Sequence, residues 1–392
     1  MKRMPFLTLL ILSVLSVGLG FGRPAVAAEE PPGQPEAGSD VANQLRVNLY
    51  ATLEFVNMQN ADSFFDARNV ELLINANMGS RLKGFAEIEF ERTAKTSAGN
   101  RQGEVEVEQG WIEFVVTDWL GVRGGVILVP FGRINLEHFD TVRELTARPV
   151  MARRVVPTTW AEAGAGLVGQ ASSGELVISY QAYVINGLND DAGISDTGGL
   201  RDSRGAFGKD NNNNKAVVGR VAVSPRYGTE IGVSGYHGQY ANSRAANGLD
   251  ADLRVTMGAV ELLGEYAYIR LDSGPDNGLV PVAVPTKLHG AYAQIAYRFW
   301  LAFLNQTFLG RGFSEPMFAL VGQWGYAAIS DDGDGAGLGE ADNRTMRYVA
   351  GVNYRPTQTF VFKVEYQWNT QAGEAVEQGG SNGVLASMTA AF

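Results

Sequence analysis

Between Gly125 and Thr159 the sequence reads GVILVPFGRINLEHFDTVRELTARPVMARRVVPTT, placing Arg133, Arg143, Arg148, Arg153 and Arg154 against Glu137, Asp140 and Glu144. A guanidinium is permanently charged and presents a planar fork of donors, so this segment has the side chains to hold a phosphate or carboxylate by bidentate contacts. The three acids limit how many forks stay available. Leu136, Phe139, Val142 and Leu145 recur every three residues, which predicts a short helix begun by Asn135 and ended before Pro149. On that helix Asp140 pairs with Arg143 and Glu144 with Arg148. Arg133, Arg153 and Arg154 are then the stronger candidates for binding a solute, and on extended chain the last two point opposite ways.

Other chemistry has little material. There is no Cys, so disulfides and thiolate metal sites are excluded, and three His are few for a metal centre. His138 lies in the Arg-rich segment, His237 and His289 fall near the ends of extended segments, and none has an evident partner; no cofactor and no metal are expected. Gly193-Ile194-Ser195-Asp196 begins like a nucleophile elbow, but Thr197 replaces the second Gly. Gly208-Lys209 lacks the upstream Gly and the following hydroxyl of a phosphate loop. Ser330 to Asn343 is rich in carboxylates, yet Ala336 stands where an EF-hand needs an oxygen ligand. It reads as a hydrated surface loop, with loose divalent-cation binding beside lipopolysaccharide as the lesser reading. A nucleic-acid partner is disfavoured by 42 acidic against 32 basic residues.

The elements around these residues alternate with a period of two. In Thr359 to Asn369, Phe360, Phe362, Val364, Tyr366 and Trp368 occupy one parity, and Val361, Lys363, Glu365, Gln367 and Asn369 the other. Val47, Leu49, Ala51, Leu53 and Phe55 stand likewise against Arg46, Asn48, Tyr50, Thr52 and Glu54. Sixteen such strands are expected, near residues 46–56, 66–78, 81–92, 105–117, 119–128, 160–170, 174–185, 215–224, 227–238, 250–258, 260–271, 287–299, 315–328, 343–355, 359–370 and 383–392. Connections after odd-numbered strands are long, at 57–65, 93–104, 129–159, 186–214, 239–249, 272–286, 329–342 and 371–382. Those after even-numbered strands are tight, apart from the apolar Trp300 to Ser314, which reads as an elongated turn at the membrane surface. A soluble sandwich has no reason to keep this alternation, whereas an outer-membrane barrel has short periplasmic turns and long outer loops.

Both ends fit export. Lys2 and Arg3 precede an apolar run from Phe6 to Phe21, and Ala25-Val26-Ala27 supplies the small residues of a cleavage site, so residues 1–28 are expected to be a signal peptide. Its removal takes Lys2, Arg3 and Arg23 and shifts the net charge from -10 to -13. Residues 29–45 then form a Pro-rich periplasmic leader ahead of a barrel over 46–392, with 129–159 as its constriction loop. Phe392 closes an alternating strand on its apolar parity, which resembles the signal read by the barrel-assembly machinery.

Gly125-Val126-Ile127-Leu128-Val129-Pro130-Phe131-Gly132 resembles the phosphate-selective porin O and P family, in which a strand ending in Gly-x-x-x-x-Pro-Phe leads into the third outer loop. Arg154 to Gly169, a basic residue followed by a Gly-rich strand, is similar to that family's next strand. The motif-level likeness covers residues 119 to 170. It implies a homotrimer of sixteen-strand barrels that passes anions through a loop folded into the lumen. One departure is visible: such anion channels use basic ladders and a lysine cluster, and this sequence has few Lys. The expectation is an all-β, antiparallel transmembrane barrel in a Gram-negative outer membrane, in contact with lipid and lipopolysaccharide. It would let small hydrophilic solutes, anions such as phosphate among them, diffuse past Arg133, Arg143, Arg148, Arg153 and Arg154. A plugged structural barrel and an outer-membrane hydrolase are the competing readings.

Overall fold

The structure is a computed structural model. It describes residues 45–95, 101–189, 193–195, 198–205, 207–208, 213–241, 244–272, 284–330, 343–372 and 382–392. The expected signal peptide, almost all of the leader and most of the acidic loop at 330–343 lie outside the described residues.

Sixteen strands form one closed antiparallel ring, each hydrogen-bonded to its sequence neighbours and β16 to β1. They are β1 (Leu45–Met58), β2 (Phe64–Met78), β3 (Leu82–Lys95), β4 (Arg101–Thr117), β5 (Leu120–Leu128), β6 (Ala161–Ser173), β7 (Leu176–Ile185), β8 (Ala216–Arg226), β9 (Thr229–Ala241), β10 (Arg244–Met257), β11 (Val260–Leu271), β12 (Lys287–Phe299), β13 (Met317–Ser330), β14 (Asn343–Thr357), β15 (Phe360–Ala372) and β16 (Gly383–Ala391). The seam pairs Ala51 with Ala390 and Leu53 with Met388, and the Phe392 and Leu49 main chains exchange two bonds of 2.8 Å. Closure leaves no strand edge, which is what hydrocarbon requires of a spanning sheet.

The ring is inside out relative to a soluble protein. Val47, Leu53, Val217, Val233, Leu249, Ile295 and Val364 are exposed on the outside, whereas Glu71, Glu87, Asp252, Lys363, Glu365 and Thr389 are buried within. Alternation therefore sorts residues between lipid and lumen. Among the described residues no helix is long and apolar enough to cross a membrane.

One predicted loop and one predicted strand parity change most. The loop expected at 239–249 shrinks to residues 242–243, because β9 and β10 pair on to Ala241 and Arg244. In β4 a bulge inserts Glu108, since Glu87 faces Gln109 while Ile88 faces Val107. The parity slips there, so Glu108 and its neighbour Gln109 are both buried.

The apolar turn at 300–316 packs on the outward rim. Trp300 stacks on Phe318 at 5.6 Å, the Tyr354 hydroxyl donates to the Leu309 carbonyl, and Phe303 and Phe308 are left exposed. Tyr354 stacks on Phe362, and Tyr366 lies 4.5 Å from Trp368, so aromatics face outward on these strands.

Candidate functional site

Between β5 and β6 the chain leaves the ring and returns to it. Leu128 and Ala161 are paired partners, so a short turn would have sufficed to join them. Residues 129–160 instead bond to wall residues on β3, β10, β12, β14, β15 and β16. A segment that reaches strands on so many sides of a ring lies inside it.

The Pro130-Phe131-Gly132 motif performs the inward turn. Gly132 has φ 79°, and a β-carbon there would run into the Glu265 carboxylate. Its N–H donates to Ser234 Oγ at 3.2 Å, and the Ile134 N–H donates to Glu265 at 3.0 Å. Phe131 is fully buried with its ring over Gly248 and 6.2 Å from Trp160. Gly132→Ala is expected to lower stability by about 1–2 kcal/mol from the left-handed backbone alone. The check is the temperature at which the folded band disappears in a heat-modifiability gel.

The short helix expected to begin at Asn135 and end before Pro149 is absent. Two single turns form, α1 (Arg133–Leu136) and α2 (Met151–Arg154). Asn135 is a clasp rather than a cap: its Nδ2 donates to the carbonyls of Val129 and Trp160, and its Oδ1 accepts from the Trp160 N–H at 2.7 Å. The apolar residues face separate partners. Phe139 meets Tyr50 edge-on at 5.8 Å, and Leu145 joins Ala296, Ala319, Val321 and Val349.

Charge stitches the loop to the wall. Glu144 lies 2.6 Å from Arg298 and 3.3 Å from Arg355, correcting its expected pairing with Arg148. Two buried wall cations take that carboxylate, Arg298 sharing it with Glu261 at 3.1 Å, and a surface helix pair does not outbid them. Burial opposes the charges of Asp140 and Glu144, but Arg143 with Lys363, and Arg355 with Arg298, hold them well below the usual carboxylate range. Glu137 binds Arg254 and Arg133.

The five arginines therefore separate. Arg133 is buried between Glu137, Glu230 and Asp252, so it is neutralised rather than open to a solute. Arg143 pairs with Asp140, as expected. Arg148 is directed at main-chain and hydroxyl oxygens, the His138 carbonyl at 3.4 Å and Thr159 Oγ1 at 3.5 Å. Arg154 is buried and donates to Thr345 Oγ1 at 2.7 Å, while Arg153, on the same helical turn, is exposed. The extended chain expected there is α2, yet the two still point apart.

Arg201 and Arg204, which the sequence did not single out, complete the basic cluster. Arg201 donates to the Thr158 carbonyl at 2.7 Å and Arg204 to those of Pro157 and Thr159. Burial first, then the charges of Arg204, Arg153 and Arg148, push the Arg201 pKa down to about 10. Nearby, β2 to β4 present Glu71, Glu87, Glu89 and Glu108, and His138 reaches Glu87 and Glu108 at 3.0 Å each. Burial disfavours its imidazolium, but the two carboxylates outweigh this and lift the pKa to about 10. His138 thus has two partners where the spacing showed none. Its signal was present: the run Glu104-Val105-Glu106-Val107-Glu108 and the run Gln109-Gly110-Trp111-Ile112-Glu113 alternate out of step.

Beneath the loop, toward the short-turn end, lies a cavity of about 520 Å³ lined by Lys83, Arg123, Arg220, Glu230, Arg254 and Glu261.

No family model matches the sequence. An uncharacterised protein of Aquifex aeolicus is 26% identical over 275 residues, 66% of this chain and 62% of the relative, so the match spans less than two thirds of that protein's length. Solved structures similar to this one include OmpF of Salmonella typhi, with a TM-score of 0.59 and 13% identity over 89% of this chain and 97% of the other. The outer-membrane channel DcaP of Acinetobacter baumannii gives 0.58 and 11% over 89% and 98%. An anion-selective porin from Comamonas acidovorans gives 0.53 and 12% over 89% and 100%. The fold is that of the outer-membrane porins. With lipid-facing residues outside and charge within, the barrel is an outer-membrane one; the narrower O and P family is an expectation that these similarities leave at the level of fold.

Proposed function

We propose that the protein is a passive outer-membrane channel for small hydrophilic solutes, anions favoured, in which residues 129–160 narrow the lumen. The observation that carries this reading is the division of charge on the loop. Its acids and Arg133 are consumed in holding it to the wall, and Arg148, Arg153, Arg154, Arg201 and Arg204 form a basic cluster bordering the gap beside the loop, within electrostatic reach of Glu91, Glu106 and Glu108. A solute crossing such a gap is selected by width and by field, with no covalent step. The structural similarity to an anion-selective porin supports the same reading at the level of fold. Phosphate as the solute and a homotrimer belong to the proposal on the strength of the family resemblance, and recognition of Phe392 by the assembly machinery on that of a terminal Phe closing an alternating strand.

Purified protein in planar bilayers is expected to give ohmic steps, grouped in threes for the trimer, with a reversal potential on the anion side in a salt gradient. Absence of conductance would favour the plugged barrel, for which the dense contacts of residues 129–160 argue. Hydrolysis of chromogenic esters would instead favour an enzyme; Ser195 Oγ, the nearest approach to a nucleophile elbow, accepts a bond from the Gly198 N–H at 2.8 Å.

A further inference from the structure

Glu71, Glu87, Glu108 and His138 offer four donor atoms that all lie within 4.8 Å of one another, and all four residues are buried. Glu71 comes from β2, Glu87 from β3, Glu108 from the β4 bulge and His138 from the loop. Three carboxylates in one water-poor place carry more negative charge than a single imidazolium offsets, and such an excess is costly unless another cation is bound or protons are taken up. Two further observations point to a missing partner. Glu71 Oε2 is buried without a hydrogen-bond partner. Asn69, outside the four and only 6% exposed, abuts them through Nδ2, 2.6 Å from Glu71 Oε1, and its Oδ1 is likewise unpartnered.

We propose that these four residues bind one divalent transition-metal ion, which staples the loop to β2–β4. The inference does not depend on the channel reading. Donors on one ion at about 2.1 Å stand at most roughly 4.2 Å apart, so the present spread of 4.8 Å closes with sub-ångström shifts. Carboxylate oxygens with one imidazole suit Zn²⁺ or Mn²⁺, whereas Ca²⁺ and Mg²⁺ prefer oxygen alone. Glu108 keeps the inward parity of its run, with Val105 and Val107 facing out, and the bulge between it and Gln109 lets both side chains turn inward.

The test uses folded full-length barrel in detergent, stripped with a chelator, desalted and titrated with Zn²⁺ and, separately, Mn²⁺. Expected are one ion retained per chain and an affinity at least about 100-fold weaker in Glu87→Gln and in His138→Gln, with folding followed by heat-modifiability. A variant neutralising Asp331, Asp332 and Asp334 in the outer loop should keep the ion. Should the Gln variants fail to fold, electron-spin-echo spectra of Mn²⁺ on the unaltered protein read the site directly, through one coupled imidazole nitrogen. Failure of the unaltered protein to retain either metal, binding lost only in the outer-loop variant, or a spectrum without nitrogen coupling would each overturn the proposal.

Discussion

Replacing residues 130–159 by a two-residue Asn-Gly turn is expected to raise single-channel conductance about threefold or more, because the narrowest cross-section sets the current. The barrel should survive the excision. Leu128 and Ala161 already face each other as paired residues, and a two-residue turn is the usual closure of such a pair. Sixteen strands about 4.8 Å apart and tilted about 40° enclose a backbone ring roughly 16 Å in radius, wide enough for water once the loop is gone. The wall charges released from the loop, Arg298, Arg355 and Lys363 among them, then meet water instead of a dry interior, so the loss of their partners costs far less than in a packed core. Folded variant with the conductance of the original would mean that residues 129–160 do not limit the path.

Exchanging Arg153 and Arg201 together for Glu is expected to shift the anion-to-cation permeability ratio about fifteenfold toward cations. At about 8 Å in water a unit charge contributes roughly 0.5 kcal/mol, and screening at 0.15 M salt leaves about 0.2. Two reversals change four charge units, close to 0.8 kcal/mol, or about fourfold for one ion and its square for the ratio of opposite ions. Arg153 is exposed and Arg201 partly so, which suits them to act on a passing ion. The same exchange at Arg133 should act mainly on stability, because that side chain lies among three acids in the wall and loop. The measurement is the zero-current potential in a tenfold salt gradient. An unmoved potential in the double variant would remove this cluster from the selectivity argument.

The strands were legible in detail because one rule governs them along the whole chain. Each of the sixteen overlaps its predicted range, and β11 (Val260–Leu271) and β12 (Lys287–Phe299) coincide with theirs. Two faces meeting two solvents leave a period of two in the sequence wherever the sheet crosses. The loop obeyed no such rule. Leu136, Phe139, Val142 and Leu145 have helical spacing, yet Phe139 answers to Tyr50 and Leu145 to a group on β12–β14. Glu144 is four residues from Arg148, yet Arg298 and Arg355 claim it from over a hundred residues away. Local pairing on a helix is worth a few tenths of a kcal/mol, far less than the cost of removing a shared carboxylate from two buried wall guanidiniums.

By itself the sequence determined the barrel: the number of strands, the face most strand residues present, and the side carrying long connections. These follow from short-range alternation and from the demand that every backbone polar group be satisfied in lipid, whereas a loop folded into the lumen was what the family resemblance implied. Only the tertiary structure decided what the charged residues do. It put Arg133 among three acids and Arg154 against Thr345, left Arg153 exposed beside Arg201, and brought Glu87 and, at the β4 bulge, Glu108 to His138. A charge in a lumen finds its partner across the ring, and closure of the sheet, which no local pattern encodes, sets who stands opposite whom.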